Sequence, residues 1–486
     1  MKVKVTGNYD DRLKIAIHRL LRAFKRNAQL VNENPDIDIN IIIEDNLNLV
    51  TVNVWSNEEH ITLEEAVKED NDRKYLILKV LYKLLSKIFM KELAYGVLTG
   101  IRPTKLVHMY KTKLTDDEIR KILINKYMVK EAKANLLLEV VNNQYRNIGN
   151  ITSFKDEVSI YITIPFCPSR WVYCSFTSYP NNYQRVSQEA YLDALLAEIE
   201  TVGNYLREKK ISITTIYVGG GTPTALSETN LERLLIGIKK YLLDNHVREY
   251  TIECGRPDTI NELKLQLLKQ YNVSRISINP QTFNDETLRS MNRTHSTCDI
   301  INTYRLAREK GLENINMDLI IGLPGEKFET YIDSLNKVLT LDPENITIHY
   351  LAEKRNSDLH NQIIDYENHE YQHFFDYAYQ TLKEHRYIPY YLYRQKHITG
   401  NLENVGYCKV GNECLYNILM IEEAQTIIGL GCNASTKFSD YHLILNPKDL
   451  ISYMNSYKGY LDKKLEYLEE MRNRNGGSIY NEHEYE

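Results

Sequence analysis

The sequence predicts an α/β protein with an N-terminal α/β domain, a partial (β/α)6 barrel and a C-terminal accessory domain. A chain of 486 residues is too long for one ordinary hydrophobic core, which favours several domains. Apolar strand patterns alternate with helical patterns about six times over 158–351. Turn-rich segments replace this alternation in residues 376–471, the expected accessory domain, and a polar tail follows at 472–486.

The N-terminal domain is expected to cover residues 1–150. Alternation of apolar and polar residues over 36–55 predicts two strands joined by a short turn. The segment 62–65 has the form of a capping box, so we expect a helix to begin there and to continue through 74–93. The Gly- and Pro-containing stretch 100–108 is interpreted as a loop.

The barrel is expected to cover residues 151–375. Its six predicted strands lie at 158–164, 214–220, 249–254, 274–280, 314–324 and 345–351. Strands that alternate with helices pair in parallel, and six right-handed units can curl into a partial barrel. The carboxyl ends of parallel strands meet at one edge, where ligands bind in such folds.

Residues that could bind a ligand or take part in a reaction follow the predicted strands at that edge. Cys167 comes after the first strand, and the glycine-rich segment GGGTPT (219–224) ends the second. Glu253 ends the third strand, Gln281 follows the fourth, and Asp318 lies in the fifth. The sequence therefore predicts a site at the carboxyl edge of the barrel.

Composition and charge restrict the class of protein. The chain is 43% hydrophobic and 26% charged, which is typical of a globular protein. A formal net charge of -5 argues against nucleic acid as the main partner. The sequence has no apolar run of about 18 residues and no signal-peptide pattern, so neither a membrane span nor secretion is predicted. Seven scattered cysteines are consistent with a reducing cytoplasm.

The segment IPFCPSRWVYCSF, residues 164–176, carries Cys167 and Cys174 on either side of Trp171. A cysteine at 171 would complete a C-x3-C-x2-C motif with three thiolates on one short loop. Thiolates are the ligands that hold iron–sulfur clusters. The indole of tryptophan has only a donor N–H and cannot replace one. The segment therefore predicts a cluster site with one anomalous position.

These motifs, in this order, resemble the oxygen-independent coproporphyrinogen III dehydrogenases of the radical S-adenosylmethionine (SAM) superfamily, and most of all their HemZ-type subgroup. The resemblance runs from about residue 158 to 351. It continues in YYLYRQKHITGNLENVGY, in EEAQTIIGLGCNAS and in the N-terminal GIRPTKLVH. It implies a radical-SAM barrel, a [4Fe–4S] cluster, SAM, a tetrapyrrole substrate and an electron donor such as flavodoxin or ferredoxin.

The resemblance also implies roles for individual residues. Cys167 and Cys174 would bind the cluster, and Trp171 occupies the third ligand position. The residues that would contact SAM are Tyr161, Tyr173, Gly220, Gly221, Thr222, Glu253, Gln281, Arg293 and Asp318. Because the substrate carries four propionates, cationic partners are expected. Charge and location suggest Arg256, Arg394 and Lys396, although ordinary surface charge explains each of them equally well.

The implied reaction is oxidative decarboxylation of two propionates of coproporphyrinogen III to vinyl groups, giving protoporphyrinogen IX. One alternative is another radical-SAM reaction on a tetrapyrrole, such as methyl transfer to haem or ring opening. The other is a non-enzymatic haem- or porphyrin-binding protein on the same fold.

Three explanations of Trp171 are compatible with the sequence. Position 171 is a misread cysteine or selenocysteine, the substitution is genuine or deliberate and inactivates the chain, or the protein is a pseudoenzyme. The other expected site residues are intact, which favours the first two explanations.

Overall fold

The computed structural model describes residues 1–7, 10–44, 49–56, 60–66, 73–154, 156–169, 178–181, 183, 185–351, 370–395 and 402–474. The chain divides into two compact units. The first unit contains Met1–Val141 and Tyr393–Leu402, and the second contains Asn142–Leu392 and Glu403–Glu486. The first division thus follows Val141, compared with residue 150 in the sequence analysis.

The first unit begins with a five-stranded sheet. Its strands are β1 (Lys2–Gly7), β2 (Gln29–Leu30), β3 (Ile37–Glu44), β4 (Leu49–Ser56) and β5 (His60–Ala66), in the order β2-β1-β3-β4-β5. The helices that start in this unit are α1 (Asp11–Phe24), α2 (Arg73–Ile88), α3 (Thr104–Lys111), α4 (Asp116–Asn125) and α5 (Glu131–Ile148). In β3 and β4, residues at alternate positions, such as Ile39 and Val52, are fully buried, because successive side chains of a strand point to opposite faces of the sheet. This buried face forms part of the unit's core.

Two predictions for this region are confirmed and two are wrong. The expected hairpin exists, since β3 and β4 pair antiparallel, although its turn at 45–48 lies outside the described residues. The helix expected over 74–93 is present as α2, but it does not begin at residue 62, because residues 60–66 form strand β5, which pairs antiparallel with β4. Backbone pairing outweighs the capping-box pattern there. The expected loop at 100–108 becomes helix α3 from Thr104, directly after Pro103, a residue that suits a helix start.

The second unit is organised around an eleven-stranded sheet. Its strands are β6 (Val158–Ile164), β7 (Ile213–Gly220), β8 (Glu249–Glu253), β9 (Arg275–Ser277), β10 (Ile315–Ile321), β11 (Asn345–Tyr350), β12 (Ile388–Arg394), β13 (Glu403–Cys408), β14 (Thr426–Leu430), β15 (Ser435–Lys437) and β16 (Leu443–Leu445). They are joined in the order β12-β13-β11-β10-β9-β8-β7-β6-β14-β15-β16.

Helices connect these strands. They are α6 (Gln188–Glu208), α7 (Glu228–Tyr241), α8 (Glu262–Gln270), α9 (Asp285–Ser290), α10 (Thr297–Glu309), α11 (Phe328–Leu341), α12 (Glu370–Glu384), α13 (Leu415–Glu422) and α14 (Leu450–Arg474). Among the helices that the structure describes, none combines the length and apolar composition needed to cross a membrane.

Strands β6 to β11 pair in parallel in chain order, which confirms the predicted α/β class with a partial barrel. Residues 376–471, predicted as an accessory domain, add strands to the same sheet. Strand β13 pairs antiparallel with β11, and β14 pairs in parallel with β6.

The amino ends of the strands are closed by a buried ion pair. Arg275 Nη2 lies 3.3 Å from Glu249 Oε2, and both side chains are almost inaccessible to solvent. The Arg275 guanidinium also donates to the carbonyls of Asn412 and Glu413. Glu249 accepts the backbone N–H of Leu415. A segment from the C-terminal part of the chain thus supplies hydrogen bonds to both buried charges at this end.

A second buried ion pair attaches helix α14 to the barrel. Lys464 Nζ lies 3.4 Å from Glu198 Oε1 of helix α6, and neither side chain is exposed. The ammonium also donates to the carbonyl of Gly429 at 2.7 Å. Glu198 accepts the hydroxyl of Tyr453 at 2.6 Å and the N–H of Gly431 at 2.8 Å. The pair therefore joins two helices to the end of β14.

We expect Lys464→Ala to lower the free energy of unfolding by about 3–5 kcal/mol, because it leaves a buried carboxylate without its cation. Lys463→Ala is the matched control, since Lys463 is the exposed neighbour on the same helix and should change stability by less than about 0.5 kcal/mol. Urea denaturation measures both. Equal stability of the two variants would contradict the pairing.

Candidate functional site

The loop that follows β6 carries Cys167 and is held at its base by backbone hydrogen bonds. Cys167 N–H donates to the carbonyl of Tyr179 at 2.9 Å, and Tyr179 N–H donates to the carbonyl of Pro165 at 2.8 Å. The half-buried Cys167 thiol lies 3.3 Å from the hydroxyl of Thr222. The structure thus brings the expected cluster loop to the glycine-rich segment after β7.

Several predicted site residues cannot be located. Trp171, Tyr173, Cys174 and Lys396 lie outside the described residues. Their expected roles in cluster, SAM and substrate binding stay predictions.

Gly220 and Gly221 lie where the backbone of the Cys167 loop passes closely. Gly220 has φ +104°, and a Cβ on Gly221 would lie 2.7 Å from the carbonyl oxygen of Phe166. Gly221 N–H donates to the carbonyl of Ile164, and Thr222 N–H donates to that of Phe166, both at 2.8 Å. The chain's own loop therefore accounts for the need for a small residue at Gly221. The expected SAM contact of these glycines stays a prediction.

Glu253 lies at the carboxyl end of β8 and faces the barrel interior. It accepts the Tyr217 hydroxyl at 2.6 Å and a hydrogen bond from the backbone of Gly220. Burial raises the pKa of Glu253 to about 7, the charge of Asp318 adds to this rise, and the two hydrogen bonds oppose it. Glu253 is thus a fixed acceptor whose charge changes near neutral pH.

Three tyrosines stack inside the barrel beside Glu253. The ring centroids of Tyr217 and Tyr416 are 4.4 Å apart, and Tyr161 lies 6.0 Å from Tyr217 and 6.1 Å from Tyr416. Burial raises the pKa of each hydroxyl, so all three stay neutral. Tyr161 is one of the predicted site residues, whereas Tyr217 and Tyr416 are not. Polar alternation within β7 could have identified Tyr217, but no local signal identifies Tyr416.

Asp318 and Gln281 are also brought to this interior. Gln281 N–H donates to the carbonyl of Asp318 at 2.8 Å, and Gln281 has an unusual positive φ of 67°. Asp318 accepts the side-chain amide of Asn316 at 2.7 Å, and its Oδ2 lies 3.6 Å from His349 Nε2. The sequence analysis missed His349, although the polar residues at every second position of β11 point to it.

The three arginines among the predicted site residues make contacts within the protein that were not expected. Arg293 is buried and donates to the carbonyls of Asn279 and Pro280, at 2.9 Å and 3.3 Å, so it holds the turn before Gln281. Arg394 is buried in the first unit, where it donates to the carbonyl of Leu98 and stacks 4.5 Å from the ring centroid of Tyr95. Contacts within its own unit explain Arg394 without any substrate.

Arg256 is likewise not an exposed cation. Its side chain is 1% exposed and forms a bidentate pair with Asp258, at 2.9 Å and 2.6 Å. It also donates to Ser169, two residues after Cys167. These contacts support a role in holding the loop rather than in binding propionates.

The interior fits SAM better than it fits the full cluster. Buried polar atoms of Thr251, Ser277 and Gln281 have no hydrogen-bond partner in the described structure, which is unusual and suits a polar ligand. The motif offers thiolates at 167 and 174 but an indole at 171, so the expected three-thiolate set is incomplete.

Comparisons with known proteins agree with this architecture. The Radical SAM superfamily profile matches residues 161–338. The chain is 38% identical to "oxygen-independent coproporphyrinogen-III oxidase-like protein HemZ" of Bacillus subtilis, over 97% of this chain and 98% of the relative.

Two further comparisons cover less of the chain. The heme chaperone HemW of Bacillus subtilis is 38% identical over 40% of this chain and 50% of its own length. The structure of coproporphyrinogen III oxidase HemN from Escherichia coli, 22% identical, covers 63% of this chain and 70% of its own with a TM-score of 0.51, which supports the fold alone.

We expect Glu253→Gln to stabilise the protein relative to the parent at pH 8 but not at pH 4. The native pKa of about 7 exceeds the ordinary value of 4.5, so the parent loses stability as pH rises between these values. The variant lacks this carboxyl group. Its free energy of unfolding, relative to that of the parent, should therefore rise by on the order of 3 kcal/mol between pH 4 and pH 8. Urea denaturation at both pH values measures it.

Glu309→Gln is the control for this prediction, because Glu309 is an exposed residue of helix α10. Its effect should be the same at both pH values. A stability difference between Glu253→Gln and the parent that does not change with pH would contradict the assigned pKa.

Proposed function

Because the chain belongs to the HemZ-type oxygen-independent coproporphyrinogen-III oxidase-like proteins of the radical SAM superfamily, we propose that its barrel is built for oxidative decarboxylation of coproporphyrinogen III. Two propionates would become vinyl groups, giving protoporphyrinogen IX. The observation that carries this proposal is that the Cys167 loop and the half-buried Glu253 both bond to the glycine-rich segment after β7, at the carboxyl edge of the barrel.

Proteins of this superfamily use a [4Fe–4S] cluster and SAM. When bound, these groups supply the radical that removes hydrogen from the substrate. Glu253, held by Tyr217, would accept hydrogen bonds from the ribose hydroxyls of SAM. Gln281 and Asp318 offer further polar contacts on the neighbouring strands. The stacked tyrosines beside Glu253 would present an apolar ring surface to the bound groups and would help to exclude water.

Arg256 and Arg394 are buried and engaged by the protein itself, so neither supports the proposal. Lys396 remains a proposed contact outside the described residues.

A second function is favoured by Trp171. A chain with two thiolates at the motif lacks the complete ligand set, and such a chain could bind a tetrapyrrole without radical chemistry. The partial likeness to proteins named heme chaperone is consistent with this alternative. Whether a cysteine at position 171 restores cluster binding therefore distinguishes the two functions.

We expect Trp171→Cys to raise iron and acid-labile sulfide to about four of each per chain after anaerobic reconstitution. Electron paramagnetic resonance should then detect a reducible cluster, and SAM should be cleaved to 5′-deoxyadenosine and methionine. Trp55→Cys is the matched control, because it replaces the other tryptophan and adds a thiol in the first unit. Equal iron and sulfide in both variants and the parent would contradict the ligand assignment.

We expect the Trp171→Cys protein, with reduced flavodoxin and SAM, to convert coproporphyrinogen III but not haem. Chromatography and mass spectrometry of the products measure this, with boiled protein as the control. Methylated or ring-opened haem would indicate the alternative radical-SAM reaction. Tight haem binding by the parent, with neither cluster nor SAM cleavage in the variant, would favour the binding function.

A further inference from the structure

We propose that Arg256 is a positioning residue that fixes the segment carrying Cys167, a predicted cluster ligand. The cysteine loop is defined here as the described residues 167–169. The inference deepens the proposed function and rests on it for the purpose of the loop. The contacts themselves do not depend on which reaction the barrel performs.

The guanidinium of Arg256 joins the cysteine loop to the turn after β8. Nη1 donates to the carbonyl oxygen of Ser169 at 3.0 Å and to its hydroxyl at 2.9 Å. Nε and Nη2 donate to the two carboxylate oxygens of Asp258, at 2.9 Å and 2.6 Å. Because the guanidinium is planar and its donors are fixed, one side chain can hold both partners at once.

Asp258 is itself held in place. The hydroxyl of Thr294 donates to its Oδ2 at 2.7 Å, and His295 Nδ1 lies 4.0 Å from its Oδ1. Burial alone would raise the pKa of Asp258, but the hydrogen bonds from Arg256 and Thr294 outweigh it and lower the pKa. The partner of Arg256 is therefore a carboxylate at neutral pH.

The turn that carries Arg256 is also fixed to the glycine-rich segment. The hydroxyl of Thr259 donates to the carbonyl of Arg256 at 2.9 Å and lies 2.6 Å from the hydroxyl of Thr224. Lys264 Nζ donates to the carbonyls of Thr224 and Thr259, at 2.7 Å and 3.1 Å. Arg256 thus extends from a turn that buried hydrogen bonds already hold.

Cys167 consequently lies between two points of attachment. On one side, the amides of Gly221 and Thr222 bind the carbonyls of Ile164 and Phe166. On the other side, Arg256 binds Ser169. Lysine at 256 could not replace the second attachment, because a single ammonium lacks the guanidinium's fork of donors.

The test is the alkylation rate of Cys167 by iodoacetamide in the folded chain, without cluster, SAM or tetrapyrrole. Tryptic peptide 156–170 contains only Cys167, and peptide 294–305 contains only the exposed Cys298, which serves as the internal reference. We expect Arg256→Lys to speed alkylation of Cys167 on the order of tenfold, with Cys298 unchanged.

Arg275→Lys is the matched control. Arg275 is also buried and paired with a carboxylate, but at the amino end of the barrel. A merely structural effect would speed alkylation of Cys167 equally in both variants and would overturn the inference. The inference would also be overturned if the Arg256→Lys protein had the melting temperature of the parent and its Cys167 were alkylated within about twofold of the parent's rate.

Ser169→Ala provides a second test of the same contact if the Arg256→Lys protein does not fold. It removes one of the two Ser169 acceptors, so we expect a smaller rise of about threefold for Cys167. An unchanged rate in this variant would overturn the inference. Since no turnover is measured, absence of decarboxylation would refute the proposed function and leave this result standing.

Discussion

The shared register of six parallel strands determines where the functional side chains of this barrel lie. Tyr161 pairs in register with Tyr217, and Tyr217 with Thr251. Side chains at every second position of a strand share a face, so Glu253, two residues after Thr251, faces the same interior. A slip of one residue in any strand would turn its polar residues outward. The positions of these side chains are therefore set by the pairing register of the strands and not by one loop.

A polar barrel interior requires closure, and the C-terminal part of the chain provides it. Buried charges such as Arg275 and Glu249 are tolerated only when their remaining hydrogen-bonding groups are satisfied. Backbone groups of residues 412–415 bond to both charges, and Tyr416, the next residue along the chain, stacks on Tyr217. The stack beside Glu253 thus includes a residue remote in sequence from the barrel strands.

The contacts that hold the cysteine loop are separate from the ligands that the loop carries. Gly221, Thr222 and Arg256 hold residues 164–169 through backbone groups and Ser169. None of these contacts involves position 171. These supports are present in the chain whose motif carries Trp171. Cluster ligation and loop support therefore rest on different residues.

The sequence by itself determined the six strands, their parallel order and the edge that carries Cys167, Glu253, Gln281 and Asp318. Periodicity and chain order carry that information, because they act over short distances. Only the tertiary structure decided that residues 60–66 form a strand, since their partner β4 overrides the local helix pattern.

The roles of individual cations and aromatics were also decided by the tertiary structure. Arg256 and Arg394 look like free charges in sequence, but their partners Ser169 and Leu98 lie 87 and 296 residues away. Tyr416 likewise contacts Tyr217 across the barrel. A charge or ring is defined by what surrounds it after folding, and no local pattern encodes contacts at such separations.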